Sequence, residues 1–259
     1  MISIVTAYYN RKKLFYETLK SIGRSAYKDF EVIAVDDASS PEERIDDLVG
    51  EFPYLRVFRI EEEWKTYFNP CVPFNIGIRK AHGDIIMLQN PECLHVHDVL
   101  SHVAKEVNDS NYVTISAYQT GKKITPTLPQ IIEKGSLLDY FKSLPQQSCT
   151  GKNAVGWYNH SKHRPVAYHF CSAMTRKNME SLDGFDKRFS WGIGFEDAEF
   201  IDRVRWSGLN IVISDDVSVI HQWHPPATGI SILHKRLYRE NGKLYTELCK
   251  ENFMKYRKI

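Results

Sequence analysis

The sequence predicts an α/β fold: a mostly parallel central sheet flanked by helices. In the first half, short β-branched apolar runs alternate with segments of helical period, the order that builds parallel sheets through right-handed crossovers. The strand runs are almost continuously apolar, as strands covered on both faces are. A length of 259 residues, 42% apolar and 25% charged, suffices for one sizeable core in a soluble globular chain.

Ile2–Thr6 reads as the first strand, with a helix over Lys12–Ile22 whose outer face is polar. Phe30–Val35 is the second strand. Ser39-Ser40-Pro41, a cap followed by proline, predicts a helix over Pro41–Val49. Strands over Leu55–Ile60 and Asp84–Leu88 bracket a helix over Phe74–Ala81, and a helix at His95–Val107 and a strand at Tyr112–Tyr118 complete the regular part. From Thr120 to Arg164 only Leu137–Leu144 has helical spacing, and so long an aperiodic stretch reads as a functional loop region. Order returns with a strand at Val166–Thr175, a glycine-rich turn at Phe189–Gly194 and a helix over Glu196–Trp206. Short strands follow at Ile211–Ile213 and Val217–Ile220, then a basic helix from Ile230. The division is 1–119, 120–164 and 165–259, within one continuous domain.

Thirty-four Lys and Arg against 32 Asp and Glu leave a net charge of +2, too little for a surface built around nucleic acid. Cys71, Cys93, Cys149, Cys171 and Cys249 form no C-x-x-C pair, so neither a disulfide framework nor a structural zinc is indicated. A reducing, cytosol-like compartment is expected. No run approaches the roughly 18 apolar residues of a membrane span. The opening MISIVTAYYNRKK places apolar before basic residues, the reverse of a secretory signal, so the mature chain is expected to begin at Met1.

Ligands of such sheets gather beyond the carboxyl ends of the strands, here Ala7–Asn10, Asp36–Ser39 and Gln89–Glu92. Asp36-Asp37 offers carboxylates to a base imide N–H or a ribose hydroxyl; the same pair also suits a solvated turn and helix cap. In QNPE the carboxylate of Glu92 and the amides of Gln89 and Asn90 are oxygen ligands for a divalent cation, although Asn-Pro is also a plain turn former. In WGIGFEDAEF, Gly192 and Gly194 allow a tight turn into a helix that begins with Glu196 and Asp197. Acids there are favoured by the helix dipole whatever their task; the catalytic reading makes Asp197 a general base, with Phe200, Ile201 and Val204 as the buried stripe. Glu199 and Arg203 read as a surface pair.

Taken together, ISIVTAYYNR, EVIAVDDASS, FNIGIRKAHGDIIML, LDGFDKRFSWGIGFEDAEFIDRV and VIHQWHPP resemble the nucleotide-sugar-dependent glycosyltransferases of the GT-A fold. The likeness is to the large inverting family of polysaccharide-synthase-like enzymes, with a galactosyltransferase-like C-terminal part. The resemblance implies a nucleotide-sugar-binding half over 1–119 and an acceptor and catalytic half over 165–259. It implies that Thr6, Ala7 and Tyr8 line the uridine pocket, that Asp37 contacts base or ribose, and that Gln89 and Asn90 border the donor. Asp197 would deprotonate the acceptor hydroxyl, with Glu196 orienting the acceptor. His221 matches a downstream metal-ligating histidine, whereas His224, between Trp223 and Pro225, reads as a packed or turn residue.

The chain departs from the family where D-x-D is usual, reading Gln89-Asn90-Pro91-Glu92. Neutral amides supply no charge, so Glu92 with His221 would hold the cation, and imidazole favours Mn²⁺ over Mg²⁺. The expected reaction transfers a sugar with inversion from a UDP-sugar to a saccharide, glycolipid or glycoprotein. The alternatives are a metal-independent or retaining transferase, or a relative that only binds. Trp191, beside the glycine turn, is the candidate acceptor platform; Trp157, Tyr158, His160 and His163 either stack on sugars or pack the loop. The basic C-terminal run reads first as a packed helix and second as a membrane-surface contact of a cytoplasmic protein. A nicotinamide dehydrogenase is excluded, since TAYYNRKK has no glycine after the first strand.

Overall fold

The computed structural model describes residues 1–149, 154–225 and 232–256, the last four in backbone only. Residues 150–153 of the expected loop region, the expected helix start at Ile230 and the basic end at 257–259 lie outside the described residues. The four strands read from the first half are present as β1 (Ile2–Tyr8), β2 (Phe30–Asp37), β3 (Leu55–Ile60) and β4 (Ile85–Gln89). β1 pairs in parallel with β2 and β4, and β2 with β3. Strand alternation accounts for their composition: Ile4, Val32 and Ala34 enter one apolar cluster and Val5, Ile33 and Val35 another, so both faces are covered. Helix α1 (Lys12–Gly23) seals the first face with Phe15, Leu19 and Ile22, and α2 (Cys71–Lys80) the second with Phe74.

The chain continues through β5 (Cys93–His95), α3 (Val99–Glu106), β6 (Asn111–Gln119), α4 (Leu128–Glu133), α5 (Leu137–Lys142) and β7 (Gly156–Asn159). It ends with β8 (Cys171–Thr175), α6 (Arg176–Ser181), α7 (Glu196–Trp206), β9 (Asn210–His221) and α8 (Ile232–Tyr256). Among the described residues the sheet runs β3-β2-β1-β4-β8-β6-β9-β5, with β7 on β6. β8 is antiparallel to β4 and β6, β6 is parallel to β9, and β5 is antiparallel to β9. No helix of the described residues is long and apolar enough to cross a membrane.

Six sequence expectations need correction, the first being the strand expected at Val166–Thr175, of which only Cys171–Thr175 pairs, with β4 and β6. Pro41–Val49 is two short 3-10 turns, because Arg44 is extended and Ile45 turns into the core instead of following a helical face. The expected helix at His95–Val107 begins only at Val99, capped by Asp98, because Cys93–His95 pairs with Val219–His221. The expected loop region contains α4, α5 and β7, and Leu128, Leu137, Phe141, Leu144 and Trp157 close a third apolar cluster with Tyr118 and Ile220. The two late strands are one, β9, looped at Asp215–Val217, where the register against β6 shifts between Ile115 and Ser116. Finally, Glu199 is 2% exposed and its Oε1 lies 2.6 Å from Arg203 Nε, a buried pair rather than a surface one.

Candidate active site

The carboxyl ends of β1, β2 and β4 deliver Ala7, Asp37 and Asn90 to one cavity of about 430 Å³, and Glu196 and Asp197 line the same cavity. The segment after β3 completes it. Tyr67 donates its hydroxyl to Asp37 Oδ1 at 2.5 Å, and Lys65 Nζ lies 3.0 Å from Asp37 Oδ2. The Lys65 ammonium also sits 4.0 Å from the centre of the Tyr9 ring. Asp36, by contrast, is fully buried and structural: its Oδ1 accepts from the Ser39 backbone N–H at 2.9 Å and its Oδ2 faces Arg59.

Glu196 and Asp197 reach the cavity because the chain reverses sharply ahead of α7. Gly194 and Phe195 both take positive φ, +70° and +71°, the conformation that glycine adopts freely and phenylalanine only under constraint. The constraint is visible: Phe195 packs on Tyr238 and Tyr245 of α8, and Asn241 donates to the carbonyls of Phe189 and Gly194 at 3.1 and 2.9 Å. Asn69 then fixes Glu196, donating from Nδ2 to Oε2 at 2.7 Å while its own Oδ1 accepts from the Cys71 N–H at 2.9 Å. Burial, and next the charge of Asp197, pushes the Glu196 carboxyl up to about 7. Burial also raises Asp197, against the Ala198 N–H that donates to Oδ1 at 2.7 Å. Two adjacent carboxyls, both raised above their ordinary range, form a unit suited to proton transfer.

A second cluster forms beside this cavity. Register explains it: Cys93 pairs with His221 across β5 and β9, which sets Glu92 against the end of β9. Glu92 Oε1 lies 3.1 Å from His221 Nε2 and 3.3 Å from His224 Nε2, while Oε2 lies 2.8 Å from the Arg11 guanidinium. Burial alone would raise this carboxyl; Arg11 and the two histidines overcome it and hold it well below the usual range. One carboxylate oxygen and two imidazole nitrogens within 4.8 Å of one another fit a divalent ion. Two donors at right angles, each about 2.1 Å from a metal, stand about 3 Å apart, close to the separations seen. His224 is thus part of the cluster, which corrects its reading as a packing or turn residue.

The other expected site residues are distributed as follows. Ala7, Tyr8, Asp37, Asn90, Glu196 and Asp197 line the 430 Å³ cavity. Tyr8 is nevertheless committed internally, its hydroxyl donating to the Glu43 carbonyl at 2.5 Å. Thr6 points into the core, 2% exposed. Gln89 is buried too, bonding His95 Nε2 and the Cys93 carbonyl at 2.9 Å each, so its amide faces the interior rather than a ligand. Trp191 is 62% exposed beside the turn, and the preceding residue, Ser190, accepts at its carbonyl from the Phe68 N–H. Trp157 is buried and donates to Gln146, with His160 and His163 packed on its ring, and Tyr158 stacks on Phe170: these four pack the fold.

Sequence reasoning missed Arg11, Lys65, Tyr67, Phe68, Asn69 and His169. Lys65–Asn69 lie several residues beyond the end of β3 and carry no motif of their own. His169, also on the cavity, lies edge-on to Phe74 and Phe185 with ring centres 5.0 Å away, and burial depresses its imidazole to about 4, leaving a neutral ring.

Residues 3–181 match the family described as Glycosyl transferase family 2, and residues 166–224 match the N-terminal domain of galactosyltransferase. A curated relative, the uncharacterized glycosyltransferase YwdF of Bacillus subtilis (strain 168), is 30% identical over 112 residues, 43% of this chain and 40% of its own length. Among solved structures, S. aureus TarS 1–349 in complex with UDP-GlcNAc aligns over 89% of this chain and 62% of its own at 15% identity, with a TM-score of 0.62. The mannosyltransferase PcManGT from Pyrobaculum calidifontis, solved with GDP-Man and Mn²⁺, aligns over 87% of this chain and 58% of its own at 17% identity and a TM-score of 0.55. The chain therefore spans 40–62% of these relatives' own lengths, and at such identities the structures speak for the fold. With the family match covering most of the sequence and the sheet arranged as in these neighbours, the chain belongs to glycosyl transferase family 2 and has the GT-A fold.

Proposed function

We propose that this protein transfers a sugar from a UDP-sugar to an acceptor hydroxyl with inversion at the anomeric carbon. One observation carries the reading: Asp37, Asn90 and the Glu196-Asp197 pair share a cavity, and the Glu92 cluster adjoins it through Arg11 and Asn90. Asp37 would accept from a base imide N–H or a ribose hydroxyl, and Arg11 and Lys65, which line the same cavity, would offer positive charge to a diphosphate. Solved neighbours carrying UDP-GlcNAc and GDP-Man support a nucleotide-sugar donor.

Asp197 takes the proton of the acceptor hydroxyl as that oxygen attacks the anomeric carbon from the face opposite the diphosphate, so configuration inverts. Glu196, clamped by Asn69, orients the acceptor, and Trp191 offers an exposed aromatic face to a saccharide ring. Glu92, His221 and His224 would hold a divalent cation, Mn²⁺ in preference to Mg²⁺ because two of the three donors are nitrogen. When bound, the cation supplies charge that offsets the charge developing on the departing UDP.

The test is UDP release from a panel of UDP-sugars with Mn²⁺ and a broad acceptor panel, for the native chain and Asp197→Asn. The variant is expected to bind UDP normally and to lose about 10²-fold or more in turnover. Near-normal transfer by Asp197→Asn would remove the base assignment.

A further inference from the structure

We propose that Arg11 is a displaceable counter-ion of Glu92: it neutralises the buried carboxylate while no divalent cation is held there, and turns to an anionic phosphate ligand once one is. The inference rests on the cation site proposed above. Glu92 is 1% exposed, and a buried carboxylate without compensation is costly. Its two oxygens are divided between partners, Oε1 facing both histidines and Oε2 facing Arg11. Of these partners only the guanidinium is always charged. A divalent ion on Oε1 and the two imidazoles would therefore lie within a few ångströms of a fixed positive charge, and in a half-buried setting that repulsion is strong.

Arg11 has both the freedom and the space to respond. Its backbone is anchored, with the N–H donating to the Tyr8 hydroxyl and the carbonyl accepting from Phe15, so only its side chain need rotate. It lines the 430 Å³ cavity with Asp37 and Asp197, and also a neighbouring cavity of about 770 Å³ with Tyr9, Lys12, Lys13 and Trp223. A phosphate in the first cavity gives the guanidinium a new bidentate partner. Cation and phosphate ligand then bind cooperatively, each relieving the penalty the other meets, and the coupling is reciprocal.

Isothermal titration calorimetry of the full chain tests this with Mn²⁺ alone and with Mn²⁺ at saturating UDP, folding being checked by circular dichroism. Without UDP, Arg11→Met is expected to bind Mn²⁺ at least about fivefold more tightly than the native chain, and the factor by which UDP strengthens Mn²⁺ binding is expected to fall by at least the same amount. Arg11→Lys, which keeps the charge, should stay near the native Mn²⁺ affinity. Arg11→Gln still donates to Glu92 and carries the same expectation as Arg11→Met should the latter fail to fold. If the native chain binds Mn²⁺ and neither neutral variant binds it more tightly, Arg11 is not a counter-ion and the cation site stands. If no form binds Mn²⁺, the cation site and this inference fall together.

Discussion

At the scale of single residues, the carboxyl of Glu196 gives the site a pH dependence whose sign can be worked out. Its value in the fold, about 7, lies above the 4.5 of the free group, so the native state keeps a proton that the unfolded chain releases. Stability from this group is complete below about pH 4.5 and is lost as pH rises toward 7, where the carboxylate must ionise inside the fold. Glu196→Gln keeps an acceptor for Asn69 but cannot ionise. Urea midpoints should therefore favour the variant at about pH 8 and converge with the native chain near pH 4.5; equal midpoints at pH 8 would mean the charge is not penalised. Activity should follow Asp197. The acid limb of the native pH–rate profile is expected above the usual aspartate range, because burial raises Asp197, and Glu196→Gln should leave it close to its native position, because the charge of Asp197 raises Glu196 and not the reverse. The adjacency of Glu196 and Asp197 was legible in the sequence; their shifted titration was not, since it comes from burial, which the hydrogen bond from Asn69, 127 residues away, only partly offsets at Glu196.

At the scale of elements, the turn into α7 shows how local signals and distant packing divide the work. Glycines at 192 and 194 announced a tight turn, and Glu196–Trp206 is helical over the expected range. What holds the turn came from α8, whose basic, loosely periodic sequence gave no sign that Asn241 is 3% exposed and bound to two carbonyls of that turn. Gly192 needs no special backbone angle; it is needed because a Cβ there would meet Asn241 Oδ1 at 2.1 Å. Gly192→Ala is accordingly expected to lower stability by about 1–3 kcal/mol through overpacking. Asn241→Ala, which takes its donor from the Gly194 carbonyl and leaves the Phe189 carbonyl with the Gly192 N–H, should cost a similar amount. The double variant should cost clearly less than the sum, because removing Asn241 vacates the space the new methyl needs. Chemical denaturation of the four forms measures this, and strict additivity would show that the two residues do not meet. The same lesson covers β5: three residues with no period of their own become a strand only because β9 pairs with them, and that pairing is what sets Glu92 against His221.

At the scale of the whole molecule, the order of strands decides what can fold alone. The first four strands follow the parallel alternation read from the sequence, but beyond β4 the sheet interleaves distant segments: β8 lies between β4 and β6, and β9 between β6 and β5. A boundary near residue 119 therefore cuts through the sheet. In a fragment of residues 1–119, β4 would lose its β8 neighbour, β6 would lose β7, β8 and β9, and β5 would lose its partner β9, exposing unpaired backbone and the apolar side chains of Leu94 and Tyr118. None of this is visible in hydrophobic periodicity, which reports the faces of an element and not its neighbours. The fragment is expected to show no cooperative thermal transition, whereas the full chain should unfold in one, raised by UDP with Mn²⁺ as a ligand of the folded state alone requires. Differential scanning calorimetry of both distinguishes the cases. A cooperative melt of the fragment that UDP raises would mean that the donor half folds and binds without β8 and β9, and that the cavity does not depend on strands from both ends of the chain.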